Sequence, residues 1–200
     1  MIISENVPAA PPEPSGLAQG ASVLAETDTA LLEAARIMNS EALVRIFDLY
    51  SPPLYNYALR LYRDPLVADH IVGDVFAKLL DQLSSGRGPR NNLRSYLYQM
   101  TYHLLVDEVR YSGRRAALDD LAVHQYEEPA FLTAEKQLTF ERIMNAIRSA
   151  LTADQRHVII LRFLEGMSVK ETAAVMGKRE EHVKVIQHRA IASLRKILIL

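Results

Sequence analysis

Apolar residues recur at three- and four-residue spacing along most of the chain, and no segment alternates with period two strongly enough to be a strand. The pattern predicts an all-α protein. Leu31, Leu32, Ala35 and Met38 form a first stripe. Leu43, Ile46, Phe47, Tyr50, Leu54, Tyr57, Ala58 and Leu61 form a longer one, which Pro52-Pro53 is expected to interrupt or bend. Val67, Ile71, Val72, Val75, Phe76, Leu79 and Leu80 make a third, and Leu93, Leu97, Met100 and Leu104 a fourth. Ser84-Ser85-Gly86-Arg87-Gly88-Pro89 between them reads as a loop. Phe140, Ile143, Met144 and Ile147 line a fifth helix.

Helix starts are legible further on. Thr152 with Gln155, and Ser168 with Glu171, have the spacing of capping boxes. The first opens a helix through Val158, Ile159, Leu161 and Leu164. The second opens one with Val169, Thr172, Ala173 and Met176 on its apolar face, and Gly177 is suited to the left-handed turn that ends it. Val183, Ile186, Ala190, Ile191, Leu194, Ile197 and Leu198 line the next helix, with Lys184, His188, Arg189, Arg195 and Lys196 between them. Helix, tight turn and cationic helix is the pattern of a helix-turn-helix, whose second helix lies in the DNA major groove. On spacing alone, an ordinary helical hairpin with a solvated face fits equally well.

Charge separates these readings. The net charge is −1, but residues 136–200 hold twelve Lys and Arg against six Asp and Glu, while residues 1–27 hold three acids and no base. The positive excess coincides with the helix-turn-helix, as phosphate binding requires. Apolar residues make up 49% of the chain, enough for packed cores. The absence of cysteine removes disulfides, thiolate zinc sites and cysteine nucleophiles, and fits a reducing cytoplasm. No apolar run is long enough to span a membrane, and the N-terminus lacks the features of a signal peptide. The six histidines show no metal spacing, and no nucleophile, phosphate loop or paired-carboxylate motif appears. Neither an enzyme nor a bound cofactor or metal is expected. The division predicted is a Pro/Ala-rich flexible tail (1–27), a helical domain (28–110), a flexible linker (111–135) and a basic helical domain (136–200).

The stretch from Leu151 to Ser168, Leu-Thr-Ala-Asp-Gln-Arg-His-Val-Ile-Ile-Leu-Arg-Phe-Leu-Glu-Gly-Met-Ser, resembles the entry to the −35-reading domain of bacterial extracytoplasmic-function (ECF) sigma factors of the sigma-70 family. Val183 to Ala190 is similar to a Val-Lys-x-Leu-Gln-His-Arg-Ala variant of that family's recognition helix. Phe47-Asp48-Leu49-Tyr50 and Leu54-Tyr55-Asn56-Tyr57-Ala58 resemble its opening helices, and Ala68 to Phe76 its polymerase-binding helix. Leu93-Arg94-Ser95-Tyr96-Leu97 and Asp107-Glu108-Val109-Arg110 resemble its −10-reading helix. The likeness covers roughly residues 28–200.

The resemblance implies sigma region 2 in the first domain and region 4 in the second. The first would bind the clamp of core RNA polymerase and capture an unpaired −10 base. The second would read the −35 duplex and touch the polymerase flap. An anti-sigma factor is an implied partner. For the −35 element the candidates are Lys178, Arg179, His182, Lys184, His188 and Arg189. For the −10 element they are Arg87, Arg90, Asn91, Asn92, Arg94, Tyr96 and His103. Tyr98 and Tyr102 offer further stacking faces or belong to the core. Asp69, Asp74 and Phe76 are the polymerase-contact candidates, Phe76 being better suited to the core than to the interface.

The chain departs from the family pattern in places. Gly73 stands mid-helix where glutamine is usual, at a cost of about 1 kcal/mol. His70 replaces a common acid, Tyr96 a tryptophan and His103 an asparagine. Arg179 replaces the serine that caps the recognition helix. Glu180-Glu181 at the tip that enters the groove motivates an alternative, a sigma-like decoy that sequesters an anti-sigma factor without reading a promoter. A stand-alone regulator would need a dimerisation seam, which the sequence does not offer.

Overall fold

The computed structural model describes residues 28–115 and 134–198. The expected tail and most of the expected linker lie outside these residues. A helix over 28–36 (α1) is followed by α2 (Ser40–Tyr62), α3 (Pro65–Ser84) and α4 (Leu93–Arg115). The second half holds α5 (Ala134–Ala150), α6 (Ala153–Ile159) with a π-helical turn at Ile160–Leu164, α7 (Val169–Met176) and α8 (Glu180–Leu198). There is no strand among the described residues, in agreement with the all-α expectation.

The first apolar stripe is shorter than expected. Leu32 and Ala35 are buried, but Met38 lies beyond the helix with φ 57° and is half-exposed. Asn39 then starts α2, its side chain accepting from Ala42 N–H at 2.9 Å. Pro52 and Pro53 do not interrupt α2, which runs through both as one helix of 23 residues. Each proline costs roughly 3 kcal/mol in a helix interior. Ile46, Tyr50, Leu54 and Tyr57 stay in phase across them and are all buried, and each contributes about 1.5–3 kcal/mol. Tertiary burial therefore outweighs the local penalty. Arg63, at φ 58°, turns the chain, and Asp64 caps α3 by accepting from Leu66 N–H at 2.9 Å, with Pro65 at the first helical position.

The stripes of α3 and α4 face a shared core. Ile71, Val75, Leu79, Leu93, Leu97, Tyr98 and Leu105 are all buried there. Leu80 and Phe47 were expected on the apolar faces but are half-exposed. Gly88 lies against Leu83, where an added Cβ would come within 2.7 Å of the leucine side chain. Arg36 of α1 donates to the Pro89 carbonyl at 2.9 Å, fixing the same loop.

Both capping boxes form. Thr152 and Gln155 exchange hydrogen bonds at the start of α6, as do Ser168 and Glu171 at the start of α7. Gly177, at φ 61°, closes α7 in the left-handed conformation read from the sequence. Met144, Ile147, Leu151, Ile159 and Ala190 make a small core joining α5, α6 and α8, whereas Ile143 and Ile197 remain exposed.

The two halves pack against each other. Val158, Ile160, Leu161, Met167, Val175 and Met176 belong to the same buried cluster as Leu97, Tyr98 and Leu105, and α7 packs on α4.

Candidate nucleic-acid interface

The helix-turn-helix is built from α7, the turn Gly177-Lys178-Arg179, and α8. Val183, Ile186 and Ala190 seat α8 in the core. The remaining surface is exposed and carries Lys184, His188 and Arg189 at helical spacing, with His182 and Arg179 near the start. All five are exposed along the first half of α8 and the turn before it, Lys184 and His188 on the side opposite the core and His182 and Arg189 on its flanks. Lys178 is held differently: its ammonium lies 3.0 Å from Asp154, and its side chain is only 21% exposed. Within the second half, Arg162 donates to Gln187 at 3.0 Å and to the Met167 carbonyl, bracing α8 against the turn before α7. Val185 also lies exposed on the cationic face. Charge-based reading passed over it, but its place between Glu181 and Arg189 on a 3.6-residue wheel would have found it. An apolar side chain there suits contact with a thymine methyl group.

The −10 candidates divide into two groups. Arg87, Arg90, Asn91 and Asn92 are exposed in the loop entering α4. Arg87 donates to Ser85 at 3.1 Å, while Asn92 adopts φ 51° and accepts from Ser95 N–H at 3.3 Å, starting α4. His103 is exposed, its ring edge-on to Tyr102 with centroids 5.5 Å apart. Tyr96 is half-buried. Arg94 points instead towards the second half of the chain and donates to the backbone carbonyl of Glu165. Tyr98 and Tyr102 are buried, so they are core and offer no stacking face.

A polar seam runs between the halves. The Glu165 carboxylate accepts from Arg60 at 2.7 Å and from the Tyr98 hydroxyl at 2.6 Å. Burial and this carboxylate push the Tyr98 phenol well above its ordinary range. Tyr57 hydroxyl and His157 Nδ1 are 2.7 Å apart, and the His157 ring packs edge-on to Tyr102 at 4.8 Å. Burial lowers the His157 imidazole to about 4; Asp154 opposes that shift, and Arg156 and Lys178 add to it. His157 is therefore neutral near pH 7.

Among the polymerase candidates, Asp69 is exposed and Asp74 half-exposed, with Asp74 3.7 Å from His70. Phe76 is buried, its ring 4.8 Å from that of Phe47. Phe47, 48% exposed, is the aromatic that reaches the surface of this pair. Among the described residues, no group of three His, Asp or Glu side chains could hold a metal ion, and no helix is long and apolar enough to cross a membrane.

The sigma-70 region 2 model matches residues 46–115 and the sigma-70 region 4 model residues 149–196. The chain belongs to the ECF sigma factors of the sigma-70 family. This sigma factor is similar to BldN of Streptomyces coelicolor, 27% identical over 181 residues that cover 87% of this chain and 68% of BldN. It is also similar to SigX of Bacillus subtilis, 27% identical over 76% of this chain and 80% of SigX. Its structure resembles RpoE of Bartonella quintana, solved in complex with the anti-sigma factor NepR (TM-score 0.65, 25% identity, 78% of this chain and 96% of that one). CnrH, solved with the cytosolic domain of CnrY, shares the fold at the same TM-score, with 23% identity over 86% of this chain and 96% of that one.

Proposed function

We propose that the two halves of this sigma factor divide promoter recognition between them. The protein binds core RNA polymerase and directs promoter-specific initiation of transcription. Residues 28–110 act as the polymerase- and −10-binding domain, 111–135 as the linker, and 136–200 as the −35-reading domain. The observation that carries the reading is the α8 face, where Lys184, His188 and Arg189 are exposed together while Val183, Ile186 and Ala190 anchor the helix. Cationic side chains on a braced helix suit phosphate and base contacts in a major groove. Arg179 and His182 extend this face, and Lys178 joins it by exchanging Asp154 for phosphate.

On the first half, Arg87, Arg90, Asn91 and Asn92 form the loop that would wrap a −10 base, with Tyr96 and His103 alongside. Arg94 joins them once it leaves Glu165. Asp69, Asp74 and the Phe47–Phe76 pair lie on α2 and α3, where the polymerase clamp would dock. An anti-sigma factor, as in the RpoE–NepR complex, is the proposed regulator. The protein works in the cytoplasm as an initiation factor that catalyses no reaction of its own.

In vitro transcription with core polymerase and genomic fragments tests this. Promoter-specific transcripts that depend on the protein are expected. If no fragment yields one, the reading fails and the decoy alternative takes its place.

A further inference from the structure

Two acids start α8, and the structure gives them different surroundings. Glu180 is the first residue of the helix and lies on its flank, whereas Glu181 lies on the side opposite Val183, Ile186 and Ala190. Glu181 is exposed, and its carboxylate makes no hydrogen bond or ion pair among the described residues. Other acids of the same half are engaged: Asp154 with Lys178, Glu165 with Arg60 and Tyr98, and Glu171 in the capping box of α7. A free carboxylate at the tip of a DNA-reading helix is repelled by phosphates, so it costs affinity unless the groove offers it a donor.

The rotation of α8 about its axis is fixed. Val183, Ile186 and Ala190 are buried, and Arg162 holds Gln187 from the side at 3.0 Å. The exposed side chains that project away from the protein are Glu181, Val185 and His188, at positions i, i+4 and i+7. Lys184 borders this stripe on one side and Arg189 on the other. In a groove entered by α8 those two cations stand towards the phosphate walls, and the stripe faces the base edges. Recognition helices read base edges with their N-terminal residues, and Glu181 is the second residue of α8.

Given the promoter-reading function proposed above, on which this rests, we infer that Glu181 is a base-reading residue that selects a cytosine in the −35 element. Its carboxylate accepts from the cytosine N4 amino group in the major groove, and Val185, one turn on, meets a thymine methyl nearby. A carboxylate only accepts, so the acceptor edges of guanine and thymine repel it, and adenine sets an acceptor beside its amine. The acid that motivated the decoy reading is thus a source of discrimination. It lowers affinity for every duplex and recovers the loss only at the right base. Arg179, Lys184 and Arg189 around it supply the sequence-independent attraction. Four residues of helix rise about 6 Å, so the base pairs read by Glu181 and Val185 lie within about two of each other.

Holoenzyme assembled from core polymerase and the full chain tests this by selecting duplexes from a library with a randomised window long enough for both promoter elements. The unsubstituted protein is expected to enrich a motif with a cytosine, and with a thymine within about two base pairs of it. Glu181→Gln should change that cytosine to adenine and Glu181→Arg should change it to guanine, every other position keeping its base. Val185→Ala should relax the thymine. In direct binding to the enriched duplex, replacing the cytosine should cost the unsubstituted holoenzyme about tenfold, and the Glu181→Ala holoenzyme nothing. Glu180→Gln removes a charge from the same helix turn and should leave the motif unchanged, which separates base reading from a favourable interaction with the helix dipole.

An identical motif from the unsubstituted protein, Glu181→Gln and Glu181→Arg overturns the inference. So does a uniform gain in affinity for all duplexes in Glu181→Gln, which would turn the carboxylate towards the backbone. In both cases the motif enriched by the unsubstituted protein still stands, and the promoter-reading function with it. If the unsubstituted holoenzyme enriches no motif and yields no promoter-specific transcript, that function falls and takes this inference with it.

Discussion

The Tyr57 hydroxyl and His157 Nδ1 meet at 2.7 Å although 100 positions separate them in the chain. The pair joins α2 to α6 inside a wall made by Tyr98 and Tyr102, with the Tyr57 and Tyr98 ring centroids 5.6 Å apart. A neutral imidazole satisfies Tyr57 there, while a protonated one would place a charge in an apolar interior beside Arg156 and Lys178.

That relationship gives the closed structure a pH dependence. Folding lowers the imidazole from 6.5 to about 4, chiefly by burial. The unfolded state therefore binds the extra proton between those values, and stability rises with pH across the window. It is fully present above about pH 6.5 and is lost as pH falls towards 4, by an amount on the order of 3 kcal/mol. Urea midpoints measured across this range should fall on acidification. In His157→Asn, which keeps a polar atom near the Tyr57 hydroxyl, the fall should be much smaller. An equal fall in both proteins would contradict the assignment.

Gly73 is a removable weakness. It lies exposed in the middle of α3, and an added Cβ would meet nothing within 4 Å. Gly73→Ala should stabilise the protein by roughly 0.5–1 kcal/mol, because alanine restricts the unfolded chain and favours the helix. Chemical denaturation of both proteins checks this, and any destabilisation would count against it.

Ser168 carries the opposite expectation. Its hydroxyl accepts from Glu171 N–H at 3.1 Å, and the Glu171 carboxylate answers at the Ser168 N–H at 2.7 Å. Ser168→Ala should cost about 1 kcal/mol by leaving first-turn donors of α7 to water. The same denaturation experiment would show the loss, and amide exchange should locate it at the start of α7.

Lys184→Ala and Arg189→Ala test the α8 face. Each should weaken promoter binding by the polymerase holoenzyme. Each should also reduce the slope of log affinity against log salt by about 0.9 if it removes one phosphate contact. Binding isotherms over a range of salt give both quantities, while a loss of affinity with an unchanged slope would move the residue from phosphate to base contact. Ala192→Ser, on the exposed side of the same helix, serves as a control for helix integrity.

The helix-turn-helix was legible because its signals are local. Ser168 and Glu171, or Gly177 and its turn, act within a few residues of one another, and the cationic face of α8 repeats with the helical period. The seam was not legible. Nothing around Arg94 distinguishes it from Arg87 or Arg90 in composition, yet Arg94 faces the second half while the others face solvent. Glu165 could be read as part of a motif but not as the partner of Arg60, Tyr98 and Arg94, since no periodicity links positions so far apart. Phe76 and Tyr98 show the same limit: an aromatic on a helix stripe reads alike whether a neighbour covers it or not.

The order of amino acids alone dictated the all-helical class, both capping boxes, the Gly177 turn and the basic recognition helix, all governed by backbone geometry over a turn or two. Tertiary packing was needed to establish that α2 continues through Pro52-Pro53, that Tyr98 and Tyr102 are core, and that Glu165 and His157 tie the two halves together. Those outcomes depend on burial and pairing between residues distant in the chain, whose energies exceed the local preferences and leave no local trace.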